Sequence, residues 1–294
     1  MYRLFLAFLM LFTARVSADK LEPRVLFLGD SITHGGNWTV YVESAIRAQK
    51  GLSRASIVNM GLSSETTSGL SEPGHAGGAF PRPDLHERLG RVLAQYKPTL
   101  VVACYGINDG IYQPLDAVRQ LAFQDGIIRL RLACIRAGAH VVVVTPPLFA
   151  PDDRAKDVIN YDGVMEAYGA WLVAQRTAGW QVIDIHPLLH QAVEAAKKAD
   201  PTFIYARDNL HPGEQGHLFM AKAVWQSLAP MMKWKANVEF ADGAKLKLLR
   251  DSSAVLRDAW LMQSGHKRPG VKGGLPLAQA EARSAELIGE YLKK

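Results

Sequence analysis

Ser31, Asp208 and His211 are the three side chains of this 294-residue sequence whose types together match acyl transfer. A serine hydroxyl is a weak nucleophile until a base takes its proton, and an imidazole serves as that base only when an acceptor fixes its tautomer. His211 supplies the imidazole. Asp208, three residues earlier in Asp208-Asn209-Leu210-His211-Pro212-Gly213, reaches the other ring nitrogen within one tight turn. Ser31 follows the apolar run Val25-Leu26-Phe27-Leu28 and the turn residues Gly29-Asp30, which places a hydroxyl at the rim of a sheet. The tetrahedral intermediate also needs donors for its oxygen. Candidates are the backbone N–H groups of Ser31 and Gly61 and the side-chain amide of Asn108; losing one such donor typically costs about 10²- to 10³-fold in rate. Each group also has a plainer use when taken singly: Ser31 as a helix cap, Gly61 as a turn glycine, Asn108 as an Asx turn. Asp30 reads as a partner that shapes the loop, and Asp109 as structural.

These residues need a scaffold that gathers distant segments. Residues 24–29 form a short apolar run rich in branched side chains that stops at turn residues, the pattern of a buried parallel strand. Similar runs recur at 56–60, 99–104, 140–145 with four consecutive valines, and 181–185. Helical spacing separates them at 38–49, 84–96, 115–137 and 157–177, and continues at 188–199 and 214–228. Five alternations of strand and helix argue an α/β fold, a five-stranded parallel sheet covered on both faces. In open sheets of this kind ligands bind outside the carboxyl ends of the strands, where Ser31, Gly61 and Asn108 all fall. Residues 62–83 make a connection of unusual length, dense in Ser, Thr, Gly and Pro, and such loops tend to be functional.

The ends differ from the middle. Met1-Tyr2-Arg3, an apolar run over 4–13 and the small residues Val16-Ser17-Ala18 have the layout of a secretory signal, with cleavage before Asp19. Loss of residues 1–18 removes Arg3 and Arg15 and lowers the net charge from +6 to +4. Beyond residue 232 the sequence changes character. Residues 233–294 carry 12 basic and 7 acidic side chains, with a hairpin expected around Asp242-Gly243 and two helices after it. Scattered basic residues without an aromatic–basic motif do not look like those of a nucleic-acid binder, so no nucleic-acid partner is expected. The apolar run of the leader is too short to span a bilayer comfortably, and no stable membrane insertion is expected after cleavage. His211 and His217 lack further ligands at matching spacing, so no metal and no cofactor is expected. Cys104 and Cys134 read as free buried thiols.

Gly29-Asp30-Ser31-Ile32, Gly61, Gly106-Ile107-Asn108-Asp109 and Asp208-Asn209-Leu210-His211-Pro212 resemble, in order and approximate spacing, the four blocks of the SGNH-hydrolase family of GDSL-type esterases and lipases. The likeness spans about residues 24–228. Ile32 stands where the family name has leucine. The resemblance implies a three-layer, doubly wound, flavodoxin-like sheet over residues 19–232, with 233–294 as an appendage outside it. It also implies Ser31 as nucleophile, His211 as base, Asp208 as orienting acid, and Ser31, Gly61 and Asn108 as the oxyanion hole. The expected activity is that of a secreted or periplasmic serine esterase forming an acyl-enzyme. The polar loop 62–83 suits a hydroxylated acyl carrier better than a greasy acyl channel, and the resemblance, whose secreted members include carbohydrate deacetylases, implies short acyl groups such as acetyl on a small-molecule or polysaccharide ester. Two alternatives stay open: a lysophospholipase or lipase acting on longer chains, and a non-catalytic polysaccharide-binding module on the same fold.

Overall fold

Five parallel strands are found among the residues described by the computed structural model, which are 23–149 and 159–294. The proposed leader lies outside them, as does the start of the helix expected from residue 157. The strands are β1 (Arg24–Gly29), β2 (Ser56–Asn59), β3 (Leu100–Cys104), β4 (His140–Val144) and β5 (Gln181–Ile183). Their spatial order is β2-β1-β3-β4-β5, with Val25 opposite both Ile57 and Leu100, and Val101 opposite Val141. Consecutive residues of β1, β3 and β4 are buried, so both faces are covered, as continuous apolar runs require. Chain direction across the sheet reverses at β1. Right-handed crossovers then send helices to opposite faces and open a crevice between the ends of β1 and β3.

The helices are α1 (Ser31–His34), α2 (Asn37–Arg47), α3 (Leu85–Tyr96), α4 (Ala117–Arg136), α5 (Tyr161–Ala174), α6 (His186–Ala199), α7 (Glu214–Met231), α8 (Gly243–Ser264) and α9 (Leu277–Lys293). Helix α6 starts two residues earlier than its apolar spacing suggests, because Pro187 in the first turn has no N–H to satisfy. Cys104 and Cys134 are free and buried. None of the described helices is long and apolar enough to cross a membrane.

No hairpin forms around Asp242-Gly243. Asp242 is instead the residue before α8, and Leu246, Leu249, Leu256, Ala259 and Trp260 recur at helical spacing along its buried face. A lone two-stranded hairpin is at best marginally stable, and residues 238–241 have better uses for their side chains. Phe240 packs edge-on against Tyr41 of α2, their ring centres 6.0 Å apart. Helix α8 covers the β2 edge, where Trp260 meets Tyr96 edge-on at 5.2 Å, and Tyr96 Oη donates to Val25 O. The basic extension is thus part of the packing that supports β1.

Two buried carboxylates hold the long connection 62–83 in place. Asp109, just past β3, accepts from the backbone N–H groups of Thr67 and Ser68 and from the Thr67 hydroxyl. Glu65 takes a bidentate bond from Arg88 of α3 at 2.6 and 2.7 Å and a third from the Tyr105 hydroxyl. Both partners of the Glu65–Arg88 pair are fully enclosed. Arg88→Met would leave the Glu65 charge stranded, so urea denaturation is expected to show a loss of about 3–5 kcal/mol. Adding Glu65→Gln should restore part of it, and a single-variant loss below 1 kcal/mol would contradict this role.

Candidate active site

Asp208 folds its own turn. Its Oδ1 accepts the backbone N–H groups of Leu210 and His211 at 3.1 and 2.7 Å, while Asn209 adopts a left-handed conformation with φ of 67°. That leaves Oδ2 facing the imidazole, 2.6 Å from His211 Nδ1. A carboxylate only accepts, so Nδ1 carries the proton and Nε2 presents a lone pair. His211 Nε2 lies 2.8 Å from Ser31 Oγ, joining residues 180 positions apart. Some burial raises the Asp208 carboxyl, but its bonds to the His211 ring and to the two amides outweigh this and hold it below the usual range. The arrangement can take a proton from the Ser31 hydroxyl and keep the resulting imidazolium next to a negative charge.

Ser31 stands at the first position of α1, directly after β1. Asp30 caps that helix, its Oδ1 accepting from Ile32 N at 2.9 Å. The Ser31 N–H lies in the first turn, where no intrahelical carbonyl is available, and so remains free for a ligand. Asn108 sits past β3 across the crevice. Its Nδ2 donates to Glu65 O at 3.2 Å, its Oδ1 accepts from the Tyr112 hydroxyl, and one amide hydrogen is left over.

Gly61 does not fit the role expected of it. Its N–H already donates to Asn59 Oδ1 at 2.8 Å, and its carbonyl lies 2.9 Å from His34 Nδ1. A side chain there would meet the backbone N of His34 at 2.6 Å. Residue 61 is therefore a glycine because the loop passes against α1, and its donor is spent. Ser64, three residues further on, holds a left-handed backbone with φ of 68°. Its N–H makes no hydrogen bond among the described residues, and its carbonyl accepts from Arg82. Since Asn108 bonds to the carbonyl of the next residue, Glu65, the Ser64 peptide runs beside the Asn108 amide. Serine carries no sequence signal for such a backbone.

Burial pushes the Asp30 carboxyl up to about 7, with Asp109 and Glu65 adding to the effect and the Ile32 N–H opposing it. The folded chain therefore keeps this proton to about pH 7, whereas the unfolded chain sheds it near the ordinary value of 3.8. Stability from the bound proton is full below pH 4 and is lost as the pH rises to about 7. Asp30→Asn keeps the cap and removes the charge. It is expected to abolish up to about 4 kcal/mol of that decline when urea melts at pH 4 and pH 8 are compared. An unchanged decline would contradict the assignment.

His217 is buried, and that burial pushes its pKa down to about 4, so the ring is neutral at neutral pH.

The model of the GDSL-like lipase/acylhydrolase family matches residues 27–218. Among solved structures, a catalytic mutant of Axe2, an acetylxylan esterase from Geobacillus stearothermophilus, superimposes with a TM-score of 0.55 at 18% identity, covering 74% of this chain and 97% of its own. Axe2 itself, from the same organism, gives 0.53 at 20% identity over 74% and 97%. BT4096, a gut microbial diltiazem-metabolizing enzyme, gives 0.50 at 17% identity over 70% of this chain and 46% of its own. At such identities the likeness is one of fold. No curated protein sequence matches the chain.

Proposed function

Because the chain belongs to the GDSL-like lipase/acylhydrolase family, and is thus a serine ester hydrolase, we propose that it removes short acyl groups, chiefly acetyl, from carbohydrate esters. The observation that carries the reading is the continuous path from Ser31 Oγ through His211 to Asp208, at 2.8 and 2.6 Å. In this mechanism Ser31 Oγ attacks the acyl carbon while His211 Nε2 takes its proton. The imidazolium, held by Asp208, then gives that proton to the departing sugar oxygen, and the acyl group stays on Ser31. Water attacks the acyl-enzyme with His211 again as base, releasing the acid and restoring the serine. The oxyanion is met by the Ser31 N–H, the spare amide hydrogen of Asn108 and, in place of Gly61, the Ser64 N–H.

Two features support the substrate class. The side chains of His211 and Asp208 are 44% and 56% exposed, so an alcohol on a bulky chain can approach. The neighbouring loop is polar, with Arg82 bound bidentately by Glu72 at 2.6 and 2.7 Å. The structurally similar Axe2 is named as an acetylxylan esterase, which fits the same class. Rates on nitrophenyl esters of rising chain length test it: acetate should be the fastest, with acetate also released from acetylated xylo-oligosaccharides. A maximum at eight carbons or more would replace this reading with a lipase. The same proposal takes residues 1–18 as a secretion signal, and the exported protein should begin at Asp19 on N-terminal sequencing.

A further inference from the structure

A second group of chemically active side chains lies at the same end of the sheet, past β5 and three strands away from β1, or about 14 Å at ordinary strand spacing. Asp162 stands in the first turn of α5; His186 and His190 lie one turn apart on one face of α6. Asp162 Oδ2 is 3.0 Å from His190 Nε2, and Asp162 Oδ1 is 3.8 Å from His186 Nε2. All three ligand atoms fall within 4.8 Å of one another. A tetrahedral zinc ion, with bonds of about 2.0–2.1 Å, holds its donors roughly 3.3 Å apart, so a small inward movement of His186 would complete three corners.

The surroundings of His186 point the same way. Its Nδ1 lies 3.4 Å from Pro146 O, and a carbonyl can only accept, so the proton sits on Nδ1 and Nε2 keeps its lone pair. Nε2 is buried, in a residue only 5% exposed, and makes no hydrogen bond among the described residues. It faces a carboxylate oxygen, an acceptor opposite an acceptor, which a cation between them resolves. Burial at the same time disfavours protonation of this ring. The carbonyl behind the ring and the Phe149 N–H bonded to Asp162 Oδ1 at 2.9 Å are the outer partners that commonly orient metal ligands. Glu166, Asp184 and Glu194 line the adjoining cavity of about 630 Å³ and draw cations towards it.

We propose that Asp162, His186 and His190 bind a divalent cation of the zinc class and clamp α6 to α5. Two imidazoles with one carboxylate favour zinc, cobalt or nickel over calcium or magnesium, which prefer oxygen ligands alone. The described residues supply three ligands, which leaves the fourth corner for a further donor. Ester hydrolysis at Ser31 does not require this ion, and the two proposals stand or fall separately.

The test uses the full-length chain stripped with a chelator. Calorimetric titration with zinc chloride should give one site per chain, and a hundredfold excess over Kd should raise the melting temperature by about 5 °C or more. Cobalt(II) should show the strong visible absorption of a tetrahedral site. His190→Gln and Asp162→Asn, folded as judged by circular dichroism, should each weaken zinc binding by about 100-fold or more and lose the cobalt spectrum. His211→Ala should bind as the parent does. No saturable binding, binding that survives both ligand substitutions, or binding lost with His211 would each overturn the proposal. If one ligand variant fails to fold, the other decides.

Discussion

Ser31→Ala is expected to lower kcat for nitrophenyl acetate by about 10⁵- to 10⁶-fold while the melting temperature stays within a degree or two. The only side-chain bond that Ser31 makes among the described residues is to His211 Nε2, so the fold loses little when the oxygen is removed. The reaction, by contrast, loses its nucleophile. His211→Ala should fall by a similar factor, and the double variant should be no worse than either single one. Residues that act as one relay lose their whole contribution at the first break. Separate, multiplying losses would mean that serine and imidazole act independently, contrary to the geometry.

Asp208→Asn should cost about 10³- to 10⁴-fold in kcat at neutral pH with little change in KM. The direction follows from which oxygen is already committed. Oδ1 accepts two backbone N–H groups, from Leu210 and His211, so an asparagine must keep its carbonyl oxygen there and turn its NH₂ towards His211 Nδ1. A donor facing Nδ1 forces the proton onto Nε2. The ring then points an N–H at Ser31 Oγ and cannot accept the serine proton. Since the loop is held by the retained oxygen, the variant should fold normally. A loss below tenfold would show that the carboxylate merely decorates the turn.

Much of this was legible in the sequence because the signals are local. Buried parallel strands appear as unbroken apolar runs, so β1, β3 and β4 could be read directly, and the order of the sheet follows from the flavodoxin-like pattern. The Asp208–His211 turn was equally readable, since a carboxylate three residues before an imidazole can bond both the backbone and the ring. Gly61 misled because a glycine after a strand looks the same whether it offers a donor or makes room; the contact with His34 reveals the latter. Ser64 was invisible, as nothing in a serine announces a left-handed backbone. The Asp242-Gly243 pair imitated a hairpin, yet the leucines that follow keep helical register and α8 prevailed. Asp162, His186 and His190 escaped notice because two helices supply them, although the spacing of the histidines was in plain view.

The account rests on a serine oxygen made nucleophilic by a particular imidazole. Treating the intact chain with a fluorophosphonate and locating the adduct by peptide mass spectrometry tests this most directly. The predicted result is one stoichiometric adduct on Ser31 that appears together with loss of activity and is absent in His211→Ala. An adduct on another residue, or labelling of Ser31 that proceeds equally well without His211, would contradict it.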